Sequence, residues 1–249
     1  MKKQSLLLFL ISFCCVAMAQ QSSDETGELP AEKNIIKLNL PALALKTVSV
    51  QYERAAGKRI SVLGTFRYMP KSKLPFESQI AKLEDDPEFT RQLKNTKLGN
   101  WAIIPEVRFY VGKRGVGNGF YLAPYVNIAR YDMSLPYQYD DNGTTKEIPI
   151  AGNINTLSGG LMMGAQWKLS KMLRLDWWIL GPAYGQSKGT LSGQQSLSPS
   201  EQQSLRDELD QMDIPLTKFT YDVHANGASI FFKGPWAGIR AGIALGIAF

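Results

Sequence analysis

The one histidine of the chain, His224, stands in Asp222-Val223-His224 with Ser229 five residues further on. A base, an acidic orienter and a hydroxyl are the parts of an acyl-transfer site, of the kind a lipid A acyltransferase or deacylase would need. The spacing carries no distinctive signature, and a lone histidine is most often a plain polar contact, so no catalytic residue is assigned. Gly112-Lys113-Arg114-Gly115-Val116-Gly117 has the glycines of a phosphate loop but lacks the GK[ST] ending and a following helix, and reads as a hairpin turn. Asn142-Gly143-Thr144 matches a glycosylation triplet, which means little in a bacterial exported protein. The remaining chemistry lies in eight charges: Lys37, Glu53, Arg67, Glu106, Arg108, Arg174, Asp176 and Arg240, five positive and three negative. Each sits among apolar residues that recur at every second position.

That alternation is clearest from Trp236 to Phe249. Ala237, Ile239, Ala241, Ile243, Leu245, Ile247 and Phe249 are apolar, whereas Gly238, Arg240, Gly242, Ala244, Gly246 and Ala248 are small apart from one arginine. A period of two is a strand. A soluble strand would carry Lys, Glu or Thr on its wet face; a small face with one charge suits a crowded barrel interior opposite a lipid-facing row. Ile243, Leu245, Ile247 and the terminal Phe249 also have the form of a barrel insertion signal, the segment by which outer-membrane barrels are recognised by their assembly machinery.

The same pattern recurs upstream. Ile36, Leu38, Leu40 and Ala42 oppose Lys37 and Asn39; Val48, Val50 and Tyr52 oppose Ser49, Gln51 and Glu53; Ile60, Val62, Phe66 and Tyr68 oppose Ser61, Thr65 and Arg67. Trp101, Ile103, Val107, Phe109 and Val111 oppose Glu106, Arg108 and Tyr110, and Phe120, Leu122, Val126 and Ile128 oppose Tyr121, Tyr125 and Asn127. Leu157, Leu161, Met163, Ala165 and Trp167 oppose Ser158, Gly160, Gly164 and Gln166, and Leu173, Leu175, Trp177 and Ile179 oppose Arg174, Asp176 and Trp178. With the last stretch this predicts eight antiparallel strands, an all-β transmembrane barrel over residues 33–249. A soluble lipocalin-like barrel, with the apolar rows inside, is the alternative fold.

The connections after strands two, four and six are short. The others include long polar stretches at 69–100, 132–152 and 186–235, the last with Ser198-Pro199-Ser200-Glu201, a capping box that starts a short helix. The first stretch also has a helix-like patch over 76–98. Outer-membrane barrels have short periplasmic turns and longer extracellular loops, which places both chain ends in the periplasm. Tyr52, Phe109, Phe120 and Trp167 then form a periplasmic aromatic girdle with Phe249, and Tyr68 and Trp101 mark the outer rim. An eight-stranded barrel is just wide enough for side chains to fill, so the eight interior charges are expected to pair as a plug, with a narrow anion-leaning pore as the other reading.

Lys2 and Lys3, an apolar run from Leu6 to Val16 and Ala17-Met18-Ala19 form a secretory signal over residues 1–19, followed by a polar periplasmic lead at 20–32. Both cysteines, Cys14 and Cys15, fall inside the signal, and Ile11, Ser12 and Phe13 before them do not suit a lipoprotein cleavage site. The exported chain has no thiol for catalysis, disulfides or Cys-based metal sites; no metal set and no cofactor is assigned. Without Lys2 and Lys3 the 28 basic residues fall to 26 against 22 acidic, a balance that does not mark a nucleic-acid partner. Lys71, Lys73, Arg91, Lys94 and Lys97 make one loop basic enough to meet lipopolysaccharide phosphates.

The run Asn34 to Phe76, through Asn34-Ile35-Ile36-Lys37-Leu38-Asn39-Leu40, Tyr52-Glu53-Arg54-Ala55 and Arg67-Tyr68-Met69-Pro70, resembles a family of small outer-membrane barrels of uncharacterised function common in Bacteroides-type Gram-negative bacteria. The resemblance implies an eight-stranded barrel without a catalytic assignment. Some members are thought to accompany surface-fimbria genes, which implies an assembly or anchoring role beside a surface or fimbrial protein. The function expected is structural or interactive, with loops contacting a partner, lipopolysaccharide or a ligand. A narrow gated porin and a lipid A-modifying enzyme are the alternatives.

Overall fold

Inward polar and outward apolar residues at period two leave the backbone one way to satisfy its hydrogen bonds on both edges, which is to close the sheet on itself. A computed structural model shows this closure. It describes residues 32–83, 87–141, 143–211 and 217–249; the signal segment, Asn142 and most of the lead lie outside the described residues. The elements in order are β1 (Asn34–Asn39), α1 (Leu40–Ala44), β2 (Val48–Ala55), β3 (Ile60–Lys73), α2 (Glu77–Ile80), α3 (Pro87–Asn95) and β4 (Lys97–Val111). They continue as β5 (Gly119–Asp141), β6 (Thr144–Lys168), β7 (Leu173–Gln194), α4 (Pro199–Asp210), β8 (Lys218–His224) and β9 (Gly227–Ala248). All strand pairs are antiparallel, and β1 pairs with β9 to shut the ring.

Among the described residues the sheet has nine strands where eight were expected. β1 to β7 and β9 form the ring, while β8 pairs only with β9. The last strand begins at Gly227, nine residues before the regular zigzag, because its early part pairs with β7 from Gln194↔Gly227 onward. Of two stretches read as loops, 132–152 is therefore largely strand, and 186–235 is strand at both ends with α4 between. The polar residues of the first belong to one long hairpin, with β5 and β6 paired from Gly119↔Gln166 to Asp141↔Thr144.

β1 is shorter than the alternation suggests. Leu40 and Ala42 belong to α1, where Pro41 has no amide to give a ladder and the Asn39 side chain accepts from the Ala42 amide at 3.1 Å. β7 departs in a second way. A bulge between Trp178 and Gly181 adds a residue against both neighbours, so Leu180 rather than Ile179 is the exposed apolar residue there.

Outside, the apolar rows are exposed: Ile36, Val50, Val62, Phe66, Ile103, Leu122, Leu161, Ile243 and Ile247 form a belt around the ring. One end has the turns 56–59, 112–118 and 169–172 and the Asn34–Phe249 junction, where the Asn34 amide donates to the Phe249 carbonyl at 3.0 Å. At the other end β5, β6, β7 and β9, each 22 to 25 residues long, run well past the roughly 9–11 residues that cross a bilayer. There they build a crown with its own apolar core of Tyr139, Ile148, Ile150, Val223, Ile230 and, from α4, Leu205 and Leu209.

Candidate functional site: a neutral ion network across the lumen

Even positions of β7 before its bulge and odd positions of β1 and β2 face inward, and the ring brings them to one level. Lys37 (β1) lies between Glu53 (β2) and Asp176 (β7), in contact with Glu53 and 2.5 Å from Asp176 Oδ2. Arg108 (β4) reaches the same Asp176 oxygen through Nη1 at 2.6 Å and Glu106 Oε1 through Nε at 2.6 Å, with Glu53 at 3.6 Å. Arg240 (β9) donates to the other Glu106 oxygen at 2.7 Å and to Thr65 Oγ1 at 3.2 Å. Three cations and three carboxylates balance, and the side chains of Lys37, Glu53, Arg108 and Asp176 are 0 % exposed. Buried charges survive only when paired and hydrogen-bonded.

Neutral neighbours meet several of the remaining valences, although Arg108 Nη2 and Gln166 Nε2 have no hydrogen-bond partner. Tyr110 donates to Glu53 Oε1 at 2.7 Å and also contacts the Gln166 amide, Ser61 hydrogen-bonds Glu53, and Tyr121 donates to Asp176 Oδ1 at 2.8 Å. The Arg108 guanidinium lies 4.1 Å from the Tyr121 ring centre, and Arg240 lies 4.6 Å from that of Trp178. The small face of the strands makes room for these groups. A Cβ on Gly246 would meet Lys37 Cγ at 2.8 Å, and one on Gly164 would meet the Tyr121 side chain as well as the Trp177 carbonyl at 2.7 Å. The absence of side chains at these positions is therefore a packing requirement of the network.

Of the eight charges read from the sequence, six meet in this network. Arg67 stands apart, toward the crown, donating to Asn100 Oδ1 at 2.9 Å and Tyr131 at 3.5 Å. Arg174 lies at the turn end, donating to the Ser170 and Lys171 carbonyls and 3.4 Å from Glu32. Tyr110, Tyr121, Gln166 and Ser61 were legible as inward residues but not as partners, since period two gives a face and not a height. Tyr52, Phe109, Phe120 and Trp167 stand on the outer face toward the turn end, Tyr52 donating to Asn34 Oδ1 at 2.7 Å. Ile243, Leu245, Ile247 and Phe249 are exposed along the last strand.

His224 and Asp222 lie in a β8–β9 hairpin rather than a loop, with Asp222 paired opposite Ser229. The three share a face, yet Ser229 Oγ is bonded to Ser192 Oγ at 3.2 Å, and His224 Nδ1 accepts from the Asn226 amide. The basic set is at the crown side: Lys71, Lys73, Lys94 and Lys97 are exposed, and Arg91 faces Glu147 at 3.4 Å on the surface.

A second charged cluster ties α4 to the crown. Lys146 Nζ bridges Asp141 at 2.7 Å and Glu201 at 2.8 Å. Glu201 also accepts from the Ser198 amide at 2.7 Å, closing the capping box. The Lys146 hydrogen bond, helped by Ser198, lowers Glu201 to about 2; the same ammonium lowers Asp141, and the two carboxylates raise Lys146.

A closed antiparallel β-barrel with an apolar exterior and a neutral ionic interior is the class these features define. A family model described as a protein of unknown function, DUF3575, matches residues 6–188, and the chain belongs to that family. No curated protein matches the sequence. Among solved structures the chain is similar to a major outer membrane protein from Thermus thermophilus, at 11 % identity over 88 % of this chain and 100 % of that one, with a TM-score of 0.33. It is also similar to the beta domain of the Bordetella autotransporter Brka, at 9 % identity over 87 % and 97 % of the two chains, with a TM-score of 0.23.

Proposed function

We propose that this protein is a bacterial outer-membrane barrel with a structural or surface-interaction role, displayed with both ends in the periplasm and the crown outside the cell. The single observation that carries the reading is the inversion of ordinary burial: aliphatic side chains ring the outside while Lys37, Glu53, Arg108 and Asp176 are sealed within. In water that arrangement would expose a belt far larger than the few hundred Å² a soluble monomer tolerates; in hydrocarbon it is the favoured one. Eight ring strands with short turns at one end support the orientation, as do the aromatics Tyr52, Phe109, Phe120 and Trp167 near that end.

The crown supports an interaction role. Strands twice the spanning length, with a separate core and a capped helix clamped by Lys146, make a rigid platform rather than mobile loops. The exposed lysines of 71–97 offer that platform to lipopolysaccharide phosphates or to an acidic surface protein. Conduction is the weaker reading because the ion network spans the lumen, and catalysis by His224 is weaker still because it is not joined to Ser229. Fractionation tests the membrane assignment: the expected result is an outer-membrane pellet whose band shifts on a gel when boiled. Release by carbonate with no heat-dependent shift would overturn it.

A further inference from the structure

Among the described residues the ladder of the barrel wall is interrupted on one side, where α1 packs beside β9 in place of a strand. β9 is paired with β1 only from Ala248 down to Ala244, because β1 ends at Asn39, and β8 takes the same edge of β9 only up to Lys233. Between them, residues 234–243 have a strand on the β7 side alone. The register puts this gap in the middle of the belt: Gly238 is opposite Ala183, Ala183 is opposite Gly160, and the next residue, Leu161, is an exposed member of the apolar ring.

Behind the gap lies a cavity of about 660 Å³, within the ~300–1,000 Å³ of small-molecule sites. Its rim is apolar and exposed, with Leu45 beside α1, Phe76 before α2 and Ile239 of β9, the last 76 % exposed. Its lining also includes Arg67, Asn127, Trp178 and Arg240. Trp178 is 3 % exposed, yet its indole Nε1 has no hydrogen-bond partner, nor does the buried Asn127 Oδ1. Arg240 is neutralised by Glu106, whereas Arg67 has no acidic partner among the described residues. An orphaned buried donor is costly unless something supplies the counterpart, and the half-buried Arg67 adds a cation with no carboxylate beside it.

We propose that this cavity binds a single-chain anionic amphiphile, a long-chain carboxylate or lysophospholipid, which enters sideways from the bilayer between β9 and α1. The acyl tail lies along the apolar rim, and the anionic head accepts hydrogen bonds from Arg67 and Trp178 Nε1. Hydrocarbon on the outer face of the gap selects a tail, and the guanidinium inside selects a negative head. The inference rests on the membrane reading above.

Tryptophan quenching separates the two. In vesicles of phosphatidylcholine, a dibrominated phosphatidylcholine quenches the outward Trp101, Trp167 and Trp177 if the belt meets lipid; absence of that quenching overturns the membrane reading. With those three changed to Phe, Trp178 and Trp236 remain at the cavity, and dibromostearic acid is expected to quench them saturably. Arg67→Gln should raise the midpoint about ten-fold, the size of one charge-assisted contact. Gly238→Phe fills the gap, where a Cβ has nothing within 4 Å, and should remove the saturable component while leaving heat-modifiable migration intact. Competition by oleate and by lysophosphatidylglycerol identifies which source of the head is preferred. Unsaturable quenching, an unchanged midpoint in Arg67→Gln, equal binding of a dibrominated alcohol, or undiminished binding in a folded Gly238→Phe protein would each overturn the proposal.

Discussion

Arg108 Nη1 and Asp176 Oδ2 lie 2.6 Å apart, joining β4 to β7 through the interior of the barrel, and neither side chain touches solvent. The pair is held from both sides. Lys37 shares the aspartate oxygen, Tyr121 takes the other, and Glu106 accepts from Nε of the guanidinium.

Asp176→Ala leaves Lys37 and Arg108 with two cationic groups around a reduced set of carboxylates, and breaking a buried pair this way costs about 3–5 kcal/mol. The expected outcome is a clear drop in the urea midpoint of the vesicle-inserted barrel. Adding Lys37→Met to Asp176→Ala should recover part of the loss, because the unpaired ammonium is then gone. Equal, additive losses in the double variant would show that the two residues are not coupled.

The ion network also predicts an electrically silent protein. Planar bilayer recordings of the reconstituted chain are expected to show no discrete steps, since the cations and carboxylates at this level are matched and all but Arg240 are buried. Regular unitary currents, above all anion-selective ones, would mean that the pairs rearrange and that the narrow porin is the right description.

The belt sets a depth-dependent cost for charge. Ile103, paired with Phe66 and half exposed, lies inside the belt on β4, two residues from the Trp101 level and six from Phe109. Ile103→Lys should destabilise the inserted barrel by about 2 kcal/mol, and Tyr68→Lys at the rim by about 1 kcal/mol or less. Equal small effects at both sites, measured as shifts in the unfolding midpoint, would argue for water outside the sheet.

The crown should loosen in acid. Glu201 and Asp141 have folded-state values below the ordinary 4.5 and 3.8, with Glu201 at about 2. A depressed carboxylate contributes stability that is present above its unfolded value and disappears as pH falls through the folded one. Amide exchange protection of α4 should therefore hold at pH 6 and fall between about pH 4.5 and 2, while Lys146→Met removes most of that dependence. A flat profile in the native protein would rule out the clamp.

His224→Ala is expected to leave the lipid A mass spectrum of the parent organism unchanged. A lost or shifted acyl species would revive the hydrolytic reading of Asp222, His224 and Ser229, despite the hydroxyl of Ser229 being engaged with Ser192.

Faces were readable and heights were not. Alternation placed Lys37, Glu53, Glu106, Arg108, Asp176 and Arg240 on the inner side together with Arg67 and Arg174, but the stagger between strands separates the last two from the rest by moving them toward opposite ends. The boundary errors have local causes. Pro41 and the Asn39 cap turn the end of β1 into a helix, a bulge flips the parity of β7 at Ile179, and the polar tips of β5 to β9 pair as strands because a hairpin outside the belt needs no apolar row.

The order of residues along the chain was enough to set out a closed sheet and to sort its residues into two faces, because a period of two survives whatever the strands later pair with; which face lies inside was decided by the tertiary structure. Which charges meet, where the wall is left unpaired beside β9 and how the crown acquires a core of its own depend on register, and register is a property of neighbouring strands far apart in the chain. Lys37 and Asp176 are 139 residues apart; nothing local in either segment specifies the other, and only the closing of the ring brings them to 2.5 Å.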